Sequence, residues 1–146
     1  MNVSADYATQ LRNAISRLIK KLRKESPTGQ QLSLTERSTM SLLNQNKSLL
    51  PGELAEMEMI TSQSMSQVLN HLFELGYITR TNSEIDKRKI HISLSEKGDA
   101  TLNTLRQERD EWLARAISET CTAEEQEVLK KAIVAINKIV EYKRNS

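Results

Sequence analysis

The chain has 146 residues, of which 38% are hydrophobic and 27% charged, so it can form one compact domain and is too apolar to be disordered throughout. Its formal net charge of +2 is too small to indicate a nucleic-acid partner, so the location of the charges must decide that point. A single cysteine excludes an internal disulfide framework. No apolar run approaches the roughly 20 residues of a membrane span, and no secretory signal is visible. We therefore expect a cytoplasmic protein with no membrane partner.

The first predicted element is an amphipathic helix from about Ser4 to Lys24. Basic residues in its last turn complement the helix dipole, and the Ser-Pro-Thr-Gly run at 26–29 ends it. Its apolar residues recur at three- and four-residue spacing and are Tyr7, Leu11, Ala14, Ile15, Leu18 and Leu22.

Three shorter helices follow in the central segment. The second helix is predicted to start near Thr35, as its N-cap, and to run to about Asn46. Pro51 suits the first position of a third helix. Thr61 or Ser62 can cap a fourth, since a hydroxyl oxygen accepts the free N–H groups of the first turn.

Two strand candidates come next, at residues 77–81 and 89–94, after Gly76 has closed the fourth helix. In the second strand Ile90, Ile92 and Leu94 alternate with polar residues, which predicts one buried face. An amphipathic helix followed by strand, basic loop and strand is typical of a winged helix, whose usual work is to grip duplex DNA.

The last two predicted elements are long helices. Ser95 caps the first of them, which runs to about Thr120, and the capping box between Thr122 and Glu125 opens the second. The terminal helices carry apolar stripes that the core of residues 33–98 does not need. Removing apolar surface from water stabilises a protein by on the order of 25 cal/mol per Å². Leaving these stripes in solvent would therefore be costly, so we expect them to pack against each other or against a second protein chain. A symmetric homodimer is one solution, and a monomeric helical bundle is the alternative.

The ordered set of motifs resembles the MarR family of bacterial transcription regulators. The motifs are Leu34-Thr35, Pro51-Gly-Glu-Leu-Ala55, Leu72-Phe-Glu-Leu-Gly-Tyr-Ile78, Arg80, Asp86-Lys-Arg88 and Leu94-Ser-Glu-Lys-Gly98. The resemblance implies a mainly α fold with a small β wing, in a single domain over residues 1–146. Residues 33–98 would form the winged helix-turn-helix DNA-binding lobe, and residues 4–30 and 99–142 would be dimerisation helices.

The resemblance also implies that Arg88 enters the minor groove and that Asp86 holds it in position. A narrow minor groove concentrates negative potential, and a carboxylate two residues away can accept a fork-like hydrogen bond from a guanidinium. The alternative is a solvated turn with a surface ion pair of little energetic value.

Three features depart from the family pattern, and the third, Ser95 in place of the commoner Thr, is harmless because both residues cap a helix. Met59 stands in the turn before the fourth helix, where a small residue or glycine is more usual, so that turn could differ in shape. The fourth helix exposes neutral polar side chains, and its one formally charged residue is Glu74. Because Gln and Asn pair bidentately with adenine, we expect Gln63, Gln67 and Asn70 to favour A·T-containing sites. The alternative is a polar face that merely keeps the helix soluble.

Phosphate contacts would then fall to the helix N-terminus, to hydroxyls and to cations outside this helix. The residues that we expect to contact double-stranded DNA are Ser62, Gln63, Ser64, Ser66, Gln67, Asn70, Arg80, Asp86, Lys87, Arg88 and Lys89.

The predicted function is that of a ligand-responsive repressor bound as a homodimer to a pseudo-palindromic operator. The resemblance implies a small phenolic or anionic effector, for which position alone indicates Tyr7, Leu11, Arg12 and Met40. The alternative function is a winged-helix protein-interaction module without direct DNA binding.

Enzymatic signals are thin, so we predict no catalytic residue, no cofactor and no metal. Neither His71 nor His91 has a Cys or carboxylate at metal-ligand spacing. Cys121 precedes a helix N-terminus, where thiol pKa values fall, but we interpret it as a buried residue at a helix junction rather than a redox switch. We interpret the methionines of the central segment as core filling, with a ligand-responsive hinge as the alternative.

Overall fold

The computed structural model describes residues 2–144 as six helices and a two-stranded antiparallel sheet. The mainly helical class with a small β hairpin is therefore confirmed. In chain order the elements are α1 (Ala5–Lys24), α2 (Leu34–Gln45), α3 (Pro51–Met57), α4 (Ser62–Glu74), β1 (Ile78–Asn82), β2 (Ile90–Leu94), α5 (Glu96–Thr120) and α6 (Ala123–Glu141). Two compact units form, one up to Arg109 and one from Asp110 onward. None of the helices described is both long and apolar enough to cross a membrane.

Side-chain caps set the helix starts. The predicted N-cap of α2, Thr35, is wrong: the helix begins two residues earlier, after Ser33. The Ser33 hydroxyl accepts the Glu36 N–H at 3.1 Å, and the Glu36 carboxylate accepts the Ser33 N–H at 2.7 Å. This capping box satisfies two donors at once and therefore outweighs a lone threonine cap. At α4, Thr61 rather than Ser62 is the N-cap, accepting from the Ser64 N–H at 3.1 Å.

One hydrophobic core lies in the unit that ends at Arg109. It draws on α2, α3, α4, the hairpin and the first part of α5, with Leu32 completing it from the loop after α1. The fully buried side chains include Leu32, Met40, Leu54, Met65, Leu72, Ile92, Leu102 and Leu105. The core-filling interpretation thus holds for Met40 and Met65 but is wrong for Met57 and Met59, which are 48% and 91% exposed.

The hairpin pairs Ile78 with Leu94 and Arg80 with Ile92. Each strand begins one residue later than predicted. The buried face expected of β2 is centred on Ile92, whereas Ile90 is 39% exposed. Leu49, in the loop before α3, forms an isolated antiparallel β-bridge with Ile92 of β2. The Leu49 N–H donates to the Ile92 carbonyl at 3.0 Å, and the Ile92 N–H donates to the Leu49 carbonyl at 2.8 Å.

The end of α4 and the start of α5 are joined through Ser95. Its hydroxyl donates to the carbonyl of Gly76 at 2.6 Å and accepts the N–H of Gly98 at 2.9 Å. Gly76 has φ +79°, the left-handed conformation that glycine adopts at low cost. Gly98 is buried so closely that a Cβ there would lie 2.0 Å from the Tyr77 carbonyl oxygen. The predicted Ser95 cap is therefore present, and it also ties the two helices together.

The loop after α1 is pinned to α5 by Glu108. The carboxylate of Glu108 accepts hydrogen bonds from the Ser26 hydroxyl at 2.7 Å and from the hydroxyl and N–H of Thr28. Burial acts to raise the pKa of Glu108, but these hydrogen bonds outweigh it, so that the pKa lies below its ordinary value. The ionised carboxylate thereby holds a loop that is remote from it in sequence.

The terminal helices leave apolar side chains in solvent. Neither α1 nor α6 has a buried residue among those described. On α1 these exposed side chains include Tyr7, Leu18 and Ile19; on α6 they include Val128, Leu129, Ile133, Val134, Ile139 and Val140. Each helix thus has apolar surface that its own fold does not cover.

Candidate nucleic-acid interface

Helix α4 separates a buried apolar side from an exposed polar side. Met65, Leu69 and Leu72 face the core. All the candidate contact residues on this helix are exposed, namely Ser62, Gln63, Ser64, Ser66, Gln67 and Asn70. Apart from Glu74 at the end of the helix, the exposed side is therefore uncharged and rich in donors and acceptors, as the sequence predicted.

Met59 lies in the turn that connects α3 to α4 and has φ +55°. The N–H of Ile60 bonds to the Ala55 carbonyl at 3.0 Å, and the N–H of Met59 bonds to the Glu56 carbonyl at 3.1 Å. These two bonds define a Schellman motif, whose left-handed position is usually glycine. The turn thus keeps a conformation that favours glycine although its residue is methionine.

The wing is the ordered loop at residues 83–89. The Ser83 N–H bonds to the Lys89 carbonyl at 2.9 Å, and the Lys89 N–H bonds to the Asp86 carbonyl at 3.0 Å. The Ser83 hydroxyl accepts from the N–H of Asp86 at 3.3 Å. Lys87, Arg88 and Lys89 are all exposed, so this loop presents cations on a backbone that its own hydrogen bonds hold in place.

Asp86 contacts Arg88 through a single carboxylate oxygen. That oxygen accepts the Arg88 backbone N–H at 3.1 Å and its Nε at 3.3 Å. The expected fork-like bond is not formed: both bonds go to the same carboxylate oxygen, and one of them comes from the backbone rather than the guanidinium. The Arg88 side chain remains 92% exposed, and its two terminal nitrogens are not part of this contact.

Arg80, in β1, reaches across to α4. Its Nη2 donates to the Oδ1 of Asn70 at 2.8 Å, and its Cζ lies 4.7 Å from the centroid of the Phe73 ring. Arg80 and Asn70 are both among the residues expected from the sequence to contact DNA, but Phe73 is not, and their contact with one another was not expected. Only the pairing of α4 with β1 brings the three together, so no local pattern indicates it.

A second long-range contact links α4 to α2. Nδ1 of His71 donates to the carboxylate of Glu36, which is 7% exposed. Burial acts to raise the pKa of Glu36, but bonds from the Ser33 backbone and from His71 outweigh it and lower the pKa. No local pattern pairs these residues, which lie 35 positions apart.

The four candidate effector residues are not together on one exposed surface. Tyr7 is 60% exposed and Arg12 is exposed on α1, where Leu11 is half-buried. Met40 is fully buried in the core. An effector site along α1 would therefore not include Met40 without a rearrangement of α2.

The side chains that could bind a metal ion or react as a thiol were also located. Within residues 2–144, no three His, Cys, Asp or Glu side chains lie close enough to hold a metal ion. Cys121 lies between α5 and α6 and is half-buried rather than buried.

Comparison with known proteins adds further observations. A model of the MarR family matches residues 32–90. The chain is 31% identical over 132 residues to an uncharacterised HTH-type transcriptional regulator of Mycobacterium bovis, covering 90% of this chain and 91% of that protein. Its fold resembles that of RV1404 from Mycobacterium tuberculosis, with a TM-score of 0.81, 17% identity and complete coverage of both chains. It also resembles a MepR variant of S. aureus bound to an oligodeoxyribonucleotide, with a TM-score of 0.68, 18% identity and coverage of 96% of this chain and 100% of that one.

Proposed function

Because the chain belongs to the MarR family of transcriptional regulators, we propose that it binds double-stranded DNA as a homodimer at a pseudo-palindromic operator and represses transcription. Each protomer would place α4 in a major groove and the wing in the flanking minor groove, with half-sites about 34 Å apart. The observation that carries this proposal is the exposed, neutral polar side of α4 beside an ordered wing with an exposed Arg88. The DNA-bound state of the MepR variant supports it.

Base reading would fall mainly to Gln63 and Gln67. A glutamine amide can donate to N7 and accept from N6 of adenine, so A·T-containing half-sites are favoured. With no cation on the exposed side of α4, phosphates would be bound by Ser62, Ser64 and Ser66 and by Arg80, Lys87 and Lys89. A binding-site selection that returned G·C-rich half-sites would contradict the adenine preference.

The wing would insert Arg88 into the minor groove, where a narrow groove attracts a guanidinium. The bond from Nε of Arg88 to Asp86 limits the conformations of the Arg88 side chain, so less side-chain entropy is lost on binding.

The dimer would form through residues 4–30 and 99–142, leaving residues 33–98 to bind DNA. Val128, Ile133, Ile139 and Val140 on α6 are each at least 59% exposed, and contiguous apolar surface of this kind marks protein–protein contacts. A two-fold symmetric dimer also suits a two-fold symmetric operator.

A small phenolic or anionic effector would relieve repression only if it binds the DNA-incompetent state more tightly than the DNA-bound state. The exposed cation of Arg12 on α1 supports an anionic effector, whereas Tyr7, five residues earlier, lies about 140° around the helix from it. Titration with 4-hydroxybenzoate, followed by thermal unfolding of wild type and Arg12→Ala, tests this part. A shift of equal size in both proteins would count against Arg12.

The test of the main proposal is fluorescence anisotropy with a labelled duplex obtained by selection, at several salt concentrations. Arg88→Ala should weaken binding and lower the slope of log K against log salt by about 1. Arg144→Ala, which removes an exposed arginine after the end of α6, is the matched control and should change neither. Absence of any sequence-specific duplex binding by the wild type would instead favour the interaction module.

A further inference from the structure

The guanidinium of Arg80 is held by α4 rather than by its own strand. Asn70 and Phe73 are three residues apart on α4 and therefore lie on the same side of the helix. Asn70 accepts from Arg80 at 2.8 Å while the Phe73 ring lies under its guanidinium at 4.7 Å. A hydrogen bond and a cation–π contact act on the same group from two directions, which limits its rotamers.

A depression of about 290 Å³ lies between α4 and the hairpin, beside this guanidinium. Ser66 and Asn70 line it from α4, Arg80 and Ile90 from the hairpin, and Pro51 from the start of α3. When a helix occupies a major groove and a wing occupies the adjacent minor groove, the phosphate strand that divides the grooves must pass between them. In a complex of that kind, the polar groups of this depression would face a phosphodiester.

We propose that Asn70 and Phe73 are positioning residues that hold Arg80 against this phosphate, and that Asn70 does not read a base. The inference rests on the proposed DNA-binding function. Bidentate recognition of adenine needs the Asn oxygen to accept from N6 while its amide donates to N7, and the bond from Arg80 already occupies one of the two lone pairs of that oxygen and fixes the direction of the amide. Adenine readout is thereby left to Gln63 and Gln67.

Pre-organisation determines what the substitutions do. A free arginine loses side-chain entropy when it binds a phosphate, whereas a guanidinium that is already held loses less. Removing Asn70 or Phe73 therefore weakens binding without changing how many phosphates are neutralised. The salt dependence of binding should stay the same, since it reports that number.

The experiment uses the full-length protein, its selected operator and single-base variants of that operator, with binding measured by anisotropy. Asn70→Ala and Phe73→Leu should each weaken binding by about three- to tenfold on every duplex, with the salt slope unchanged. Arg80→Ala should weaken binding and lower the slope by about 1. Adding either substitution to Arg80→Ala should have no further effect, because the three residues act as one unit.

Two controls separate positioning from other roles. Phe73→Tyr retains the ring and should retain wild-type affinity, and thermal unfolding of Phe73→Leu checks that the lobe is folded. Gln67→Ala, whose side chain is not part of the Arg80 contact, should instead relax the preference at one base pair.

The assignment is overturned if Asn70→Ala relaxes the preference at one base pair, or if its effect is undiminished in the Arg80→Ala background. Those outcomes leave the proposed function standing, since the wild type still binds its operator. A wild type that binds no duplex overturns the proposed function and the assignment with it.

Discussion

Nδ1 of His71 on α4 is hydrogen-bonded to the buried carboxylate of Glu36 on α2. The same carboxylate closes the capping box of α2 through the Ser33 N–H. One ionised group therefore both starts α2 and holds the helix that carries the candidate base-reading residues. Its lowered pKa means that folding favours the ionised form.

Glu36→Gln should decrease the free energy of unfolding at pH 7 by about 1 kcal/mol, because Gln can still cap but loses the charge-assisted bond. The wild-type carboxylate has a folded pKa below the unfolded value of about 4.3, so its contribution is present above that pH and lost as the pH falls through the folded pKa. Urea denaturation at pH 7 and between pH 5 and 3 should show a shallower acid loss in the variant. Glu74→Gln, on the exposed side of α4, is the control. Equal acid dependence in wild type and Glu36→Gln would contradict the prediction.

Met59→Gly should stabilise the lobe by about 0.5–1 kcal/mol, since a non-glycine residue at φ +55° carries backbone strain. Little packing is lost, because the Met59 side chain is 91% exposed. Met57→Gly is the matched control and should destabilise by up to about 1 kcal/mol, because it places glycine in the last turn of α3. Thermal and urea denaturation at a fixed protein concentration measure both. A destabilised Met59→Gly would show that the methionine side chain contributes more than the strain it causes.

Gly98→Ala should destabilise the protein by about 2–3 kcal/mol, because the new Cβ meets the Tyr77 carbonyl and backbone must move. Gly52→Ala, in α3, places its Cβ in open space and should stabilise by about 0.5–1 kcal/mol. Chemical denaturation of the two variants separates the steric clash with Tyr77 at position 98 from the general effect of replacing a helical glycine by alanine. Similar shifts in the two variants would rule out a steric role for Gly98.

Ile139→Lys should shift the protein from dimer to monomer at micromolar concentration, because it places a charge in the proposed interface of α6. Val134→Lys is the control. The two side chains are equally exposed, at 58% for Val134 and 60% for Ile139, but the positions lie about 140° apart around the helix because they are five residues apart. Sedimentation equilibrium measures both. A dimer that persists in Ile139→Lys but dissociates in Val134→Lys would place the interface on the other side of α6.

The elements were predictable because their signals are local. Proline at position 51, the Thr122–Glu125 capping box and the terminating Gly76 each act within one or two turns, and each structural boundary agrees with them. The start of α2 is the exception: Thr35 is a plausible lone cap, but Ser33 and Glu36 have the capping-box spacing and begin the helix. That exception concerns the choice between two local signals.

The contacts that shape the site were not predictable in the same way. The bonds from Glu36 to His71 and from Arg80 to Asn70 join residues on different elements, and the Leu49 bridge depends on where β2 lies. Which neutral residues face outward on α4 could be predicted from periodicity. Which of them are already engaged by another side chain requires the tertiary fold.

The Ser95 hydroxyl has a mechanical consequence. It donates to the carbonyl of Gly76, just after the end of α4, and accepts from the N–H of Gly98 in the first turn of α5. Because both bonds must break before the end of α4 can move away from the start of α5, these two helix ends are expected to move together. The first turn of α5 is thereby coupled to the helix that carries the candidate base-reading residues.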